Sequence, residues 1–157
     1  MKAAPTLEGG LRIDMEEAHD WQLLHAIISD ATEQQDDLAS RLGGLIRPEA
    51  GAEDWQEYIV PDLRESFQDD LNLVGAAIEA AMVHASGGAG PIWITPDDCF
   101  AWYSAFNQAR LAIEERFHFG QGEMVDLQKL TASQRSAFIR SKFYCQIQGL
   151  LLEHVMK

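Results

Sequence analysis

The residues best placed to do chemistry share one helix face in the second half of the chain. Stepping about 100° per residue from Phe106 puts Arg110 about 40° away, between Phe117 and Tyr103 on the stretch 95–119. Asn107 and Glu114 border the same strip. A guanidinium among aromatic rings must reach water or find an acceptor, because an unpaired buried charge is too costly. Glu114, one turn on, is the nearest carboxylate, although the Arg-then-Glu order is the weaker orientation for such a pair. One reading is a pocket lined by Tyr103, Asn107, Arg110 and Glu114 in which the arginine holds an anionic group. The other is a network of the same residues that fixes helix packing.

A second constellation is Glu16-x-x-His19, the spacing that di-iron helical bundles use. Those proteins need two such motifs on facing helices and further glutamates. Glu33, Glu65, Glu79 or His154 would have to complete it, at no diagnostic spacing. A charged first turn facing solvent accounts for the pattern, so no metal and no cofactor is expected. His25, His84, His118 and His154 stand singly. Cys99 and Cys145 form no CxxC or Cys–His knuckle, and both fall on apolar helix faces, where buried, inert thiols are expected. No G-x-S-x-G elbow is present. The SGGAGP loop lacks the ending of a phosphate loop. Nothing in these patterns requires an enzyme.

The charge distribution bounds the partners. Residues 1–96 hold 18 acids and 5 bases, which accounts for the whole net charge of −13, whereas residues 97–157 hold seven of each. An acidic surface repels phosphate backbones and anionic lipid, which argues against direct nucleic-acid or membrane binding and leaves a basic protein partner, or a homodimer, as the class to expect. No apolar run approaches the roughly 18 residues that cross a bilayer. The N-terminus has no apolar h-region, so a cytoplasmic protein is expected.

The elements that must position these residues read as helices. The 157-residue length and 46% hydrophobic content suit one helical domain over 1–157, with 1–10 as a loose tail. Asp14 and Glu17 have capping-box spacing and open a helix over 14–42, with a break near Ser29-Asp30. RPEAGAED reads as a loop. Pro61 must begin or kink a helix, after which Leu63, Phe67, Leu71, Val74, Ile78 and Met82 recur at three- and four-residue steps to about Ala85. Thr95, Pro96, Asp97 and Asp98 suit the start of the central helix, and Thr131 with Gln134 makes a capping box for the last, over 132–155. Leu11–Ile13 and Ile92–Ile94 are short extended segments that could pair as a two-stranded ribbon. The fold class expected is all-α, a bundle of four to five helices.

Three strings carry a resemblance: Pro61-Asp62-Leu63-Arg64, then Asn107-Gln108-Ala109-Arg110-Leu111-Ala112 with Arg116, then Tyr144, Gln148 and Leu151 in the final helix. With the helix order, they make the chain similar to an uncharacterised bacterial family of small helical proteins, a domain of unknown function. The resemblance implies a helical, soluble protein with no catalytic residues to carry over. Some members are described as regulators, and some are encoded close to an adaptor of the Clp protease. The family's arginine motif is expected to carry a small residue where this chain has Glu114. The expectation is therefore a non-enzymatic regulatory or protein-interaction domain. The alternative is a helical domain that binds a small anion or metal through Arg110 or the Glu16/His19 end.

Overall fold

The computed structural model describes residues 1–33, 37–45, 54–120 and 125–156. Its first element is a sheet. Leu11–Met15 (β2) alternates buried Leu11, Ile13 and Met15 with more exposed Arg12 and Asp14, as a strand with one face on a core must. Gly90–Ile94 (β3) pairs antiparallel with it, Leu11 opposite Ile94 and Ile13 opposite Ile92, which is the expected ribbon. A third strand, Lys2–Pro5 (β1), lies on the other side of β2, with Lys2 opposite Asp14. The stretch expected as a loose tail is thus an edge strand, and the protein is mostly α with a small antiparallel sheet rather than all-α. A Cβ on Gly10 would sit 2.5 Å from the Ile94 carbonyl oxygen, so only glycine lets the chain enter β2 this close to β3.

The strand also displaces the first helix. Asp14 belongs to β2, and helix α1 spans Ala18–Thr32 with Glu17 at the N-cap. Asp20 does the capping from inside the first turn, its carboxylate accepting the Glu16 N–H at 2.8 Å and lying 3.1 Å from the Met1 ammonium. The single helix expected over 14–42 is two helices, since α2 spans Leu38–Gly44 with Asp37 as N-cap accepting the Ser40 N–H at 2.8 Å. The helix end falls just past the expected break at Ser29-Asp30. Most of the expected loop RPEAGAED lies outside the described residues.

A π-helical turn, Trp55–Ile59, runs directly into α3, Val60–His84. Pro61 sits where the winding changes, in the first turn of α3, where its missing N–H costs no helical bond. Leu71, Val74 and Ile78 of the expected stripe are buried, and Leu63, Phe67 and Met82 are half-buried. The Thr95 hydroxyl accepts the Asp98 N–H at 3.2 Å, capping a turn that precedes α4, Cys99–Phe117. His118 at φ 51 ends that helix in the left-handed conformation. Helix α5, Ala132–His154, starts with the expected capping box, Thr131 and Gln134 each satisfying the other's backbone N–H.

Helix α4 is the centre. Cys99, Trp102, Phe106, Ala109 and Ile113 are buried along the expected face, against α1, α3 and α5. Leu11, Ile13, Trp21, Ile27, Val74, Ile78, Tyr144 and Leu151 join the same core from the sheet and the other helices. Phe106 stands between Trp102 and Tyr144, with ring centroids 5.9 and 5.7 Å away. Among the described residues no helix is long and apolar enough to cross a membrane.

Two caps make stability acid-sensitive. Burial pushes the Asp20 carboxyl up, but the Glu16 and Glu17 amides and the Met1 ammonium outweigh it and hold the group below its usual range. Asp37 behaves likewise, with burial opposed by the Ser40 amide and Arg64. A carboxyl whose folded pKa lies below its unfolded value stabilises the fold above the unfolded value and loses that contribution as pH falls through the folded one. Thermal unfolding followed from about pH 5 to pH 2.5 should therefore show Tm dropping below about pH 4. The drop should be shallower in the Asp20→Asn/Asp37→Asn double variant. Equal slopes would remove these two groups from the account.

Candidate functional site

Arg110 leaves the half-buried side of α4 towards α5. Its Nη1 donates to Gln148 Oε1, and Gln148, 3% exposed, donates from Nε2 to the Tyr103 carbonyl at 3.2 Å. The partner of Arg110 is thus a neutral amide and not Glu114, because the neighbouring helix offers an acceptor on the buried side. Glu114 turns to the chain after the helix and accepts the Gly120 N–H at 2.9 Å. Gly120 is at φ +79, where a side chain would be strained, so the carboxylate fixes a tight turn.

Arg110 and Glu114 nonetheless line one cleft, of about 290 Å³, together with Phe119, Phe138, Ser141, Lys142 and Cys145. Tyr103 and Asn107 are half-buried on the same helix but do not line that cleft, so the four expected residues divide two and two. What sequence reasoning missed is the opposite wall. Phe138, Ser141, Lys142 and Cys145 fall at i, i+3, i+4 and i+7 on α5, a single helical face that the spacing alone could have shown. Cys145 is exposed there, contrary to the expected buried thiol, whereas Cys99 is buried. Lys142 Nζ lies 5.2 Å from the centroid of the Phe138 ring, and Phe119 meets that ring edge-on at 5.4 Å.

The Glu16/His19 end has another occupation. Glu16 accepts the Met1 ammonium at 2.8 Å and Lys2 Nζ at 2.6 Å, one on each carboxylate oxygen. His19 lines a separate cleft between α1 and α5 with Leu23, Arg135 and Ile139. Among the described residues no three His, Cys, Asp or Glu side chains gather in a metal-holding group.

A buried polar network joins α1 to α5. Asp30, 7% exposed, takes Arg140 through both oxygens, Nε at 2.7 Å and Nη2 at 2.8 Å, and accepts the Tyr144 hydroxyl at 2.8 Å. Burial, then the Asp30 carboxylate, push the Tyr144 phenol far above its usual range, so it stays a donor. The hydrogen bond and charge of Asp30 likewise hold the Arg140 guanidinium above its ordinary value. Arg140 extends the triad outward, donating from Nη1 to the Ser136 hydroxyl at 2.8 Å and lining the cleft that His19 borders.

The fold and its clefts define a small, mostly helical protein with a three-stranded antiparallel sheet. The chain belongs to the family described as Domain of unknown function (DUF2017), whose model matches residues 2–155. No curated protein and no solved structure matches it.

Proposed function

We propose that this chain is a non-enzymatic, cytoplasmic protein-interaction domain that presents the outer face of α3 to a basic amphipathic protein segment. The observation that carries this reading is the composition of that face. Asp62, Glu65 and Asp69 are exposed, and among the described residues none of them pairs with a lysine or arginine. At helical spacing the same face continues through Leu73, Ala76, Ala80 and Val83, all exposed, with Val83 at 75%. Carboxylates followed by an apolar strip over about 30 Å favour a helix that carries cations at one end and aliphatic side chains at the other. The excess negative charge of residues 1–96 supports the same partner class and disfavours nucleic acid.

A synthetic helical peptide with lysines on one half and leucines on the other is the probe. It should bind wild type, weaken with added salt, and bind the Asp62→Asn/Glu65→Gln/Asp69→Asn variant about tenfold more weakly. Binding that ignores both salt and the triple substitution would overturn the reading. A second reading, a small-anion site at Arg110, is favoured by the cleft that Arg110 shares with Lys142.

A further inference from the structure

The protein carries about two acids for every base, yet among the described residues three of its cations pair with no acid. Among the described residues, every lysine and arginine forms an ion pair with a carboxylate except Arg110, Lys142 and Arg135. Arg135 is engaged otherwise, donating to the Leu127 and Leu130 carbonyls. The remaining two face the same cleft between α4 and α5. Chance placement in so acidic a chain would leave a cation near a carboxylate; here the one acid among the described residues lining the cleft, Glu114, is turned to the Gly120 amide.

We propose that this cleft binds a compact organic monocarboxylate with an apolar body, an inference that rests on the anion-site reading and names its ligand. Arg110 and Lys142 take the carboxylate, and Leu111, Phe119 and Phe138 cover the body. Gln148 serves as a positioning residue. Anchored to the Tyr103 carbonyl, its amide oxygen orients the guanidinium without neutralising it, which leaves the remaining N–H groups charged and available. The planar fork matches a carboxylate, and the flexible ammonium of Lys142 adds a point charge from the opposite wall.

The size and electrostatics select among anions. A cleft of about 290 Å³ falls at the small end of ligand sites, too little for a nucleotide. Phosphate sites draw on free backbone amides, and the Gly120 amide at this cleft is already taken by Glu114. The Glu114 carboxylate also penalises a dianion more than a monoanion. Three apolar walls then give an acyl or aromatic body its share of the binding.

Cys145 supplies a covalent reporter, because its exposed thiol lines the cleft while Cys99 is buried. Iodoacetate is itself a compact carboxylate. The Cys145 thiolate displaces iodide from its methylene carbon, leaving a carboxymethyl thioether, with the thiol proton lost to buffer. Relative to free cysteine, Cys145 should favour iodoacetate over iodoacetamide by about tenfold. Sodium benzoate should protect it, and benzyl alcohol should not. Lys142→Gln, a change at an exposed side chain that leaves the core untouched, should abolish both the preference and the protection.

Titrations of wild type with benzoate and with inorganic phosphate, read by backbone amide shifts, separate the remaining outcomes. Benzoate shifts confined to α4 and α5 and lost in Lys142→Gln support the proposal. Phosphate binding that depends on Lys142, with none for benzoate, overturns the carboxylate assignment and keeps an anion site. No Lys142-dependent binding of either anion, with no iodoacetate preference, overturns both.

Discussion

Asp30→Ala should lower the unfolding free energy by about 3 kcal/mol, measured as a shift of the denaturant midpoint at unchanged slope. The carboxylate is the hub of three hydrogen bonds, two from Arg140 and one from Tyr144. Removing it strands a phenol that is fully buried and a guanidinium whose side chain is only 21% exposed. An ion pair on the surface contributes about 0–1 kcal/mol, whereas truncating one member of a buried pair costs about 3–5 kcal/mol, mostly through the partner left unsatisfied. Partial access of Arg140 to water places the expected value at the lower end. Replacing all three, as Asp30→Leu/Arg140→Met/Tyr144→Phe, should recover most of the loss, because no buried group then lacks a partner. A loss below about 1 kcal/mol for Asp30→Ala would reduce the triad to a surface pair.

That triad also marks how far the sequence could be read. Asp30 and Arg140 lie 110 residues apart, and no local spacing links them. The rise in charge after Ser29 was visible only as a place for the helix to break. Arg110 repeats the lesson, since its angular position on α4 was legible and its partner Gln148, 38 residues on, was not. Features enclosed within one element were readable: the Thr131–Gln134 capping box, the buried face of α4, and the Ser86-to-Ala89 breakers ahead of β3. The β2–β3 pairing was readable because Leu11 and Ile13 alternate against the short Ile92–Ile94 run. Edge strand β1 was not, because Lys-Ala-Ala-Pro has no β-branched or aromatic residue and takes its conformation from pairing with the distant β2. Strand β2 upset the helix start, since its run to Met15 claims the Asp14 that the capping pattern assigned to a helix. In the cleft, the α4 wall drew notice through its lone arginine. On the α5 wall only Cys145 was read, as a buried thiol on an apolar face, although the spacing of Phe138, Ser141, Lys142 and Cys145 was just as regular.

The largest effect is expected at the centre of the core. Phe106 is fully buried, with Trp102 on one side and Tyr144 on the other. Phe106→Ala removes the ring's transfer free energy and leaves a cavity that the stacked helices close only in part, a cost of about 3–5 kcal/mol. The two aromatic contacts it loses add to that figure beyond area alone. Because Tyr144 is both the ring neighbour of Phe106 and a donor to Asp30, the cavity should loosen the polar triad as well. A double-mutant cycle of Phe106→Ala with Tyr144→Phe tests this, since residues in contact through a shared network depart from additivity by about 0.5–3 kcal/mol. The double variant should lose less than the sum of the two single losses, the hydroxyl's contribution having already weakened when the ring beside it is gone. Strict additivity would mean that Tyr144 is held by Asp30 and Arg140 independently of the core. The triad would then be a clamp between α1 and α5 that the aromatic centre does not support.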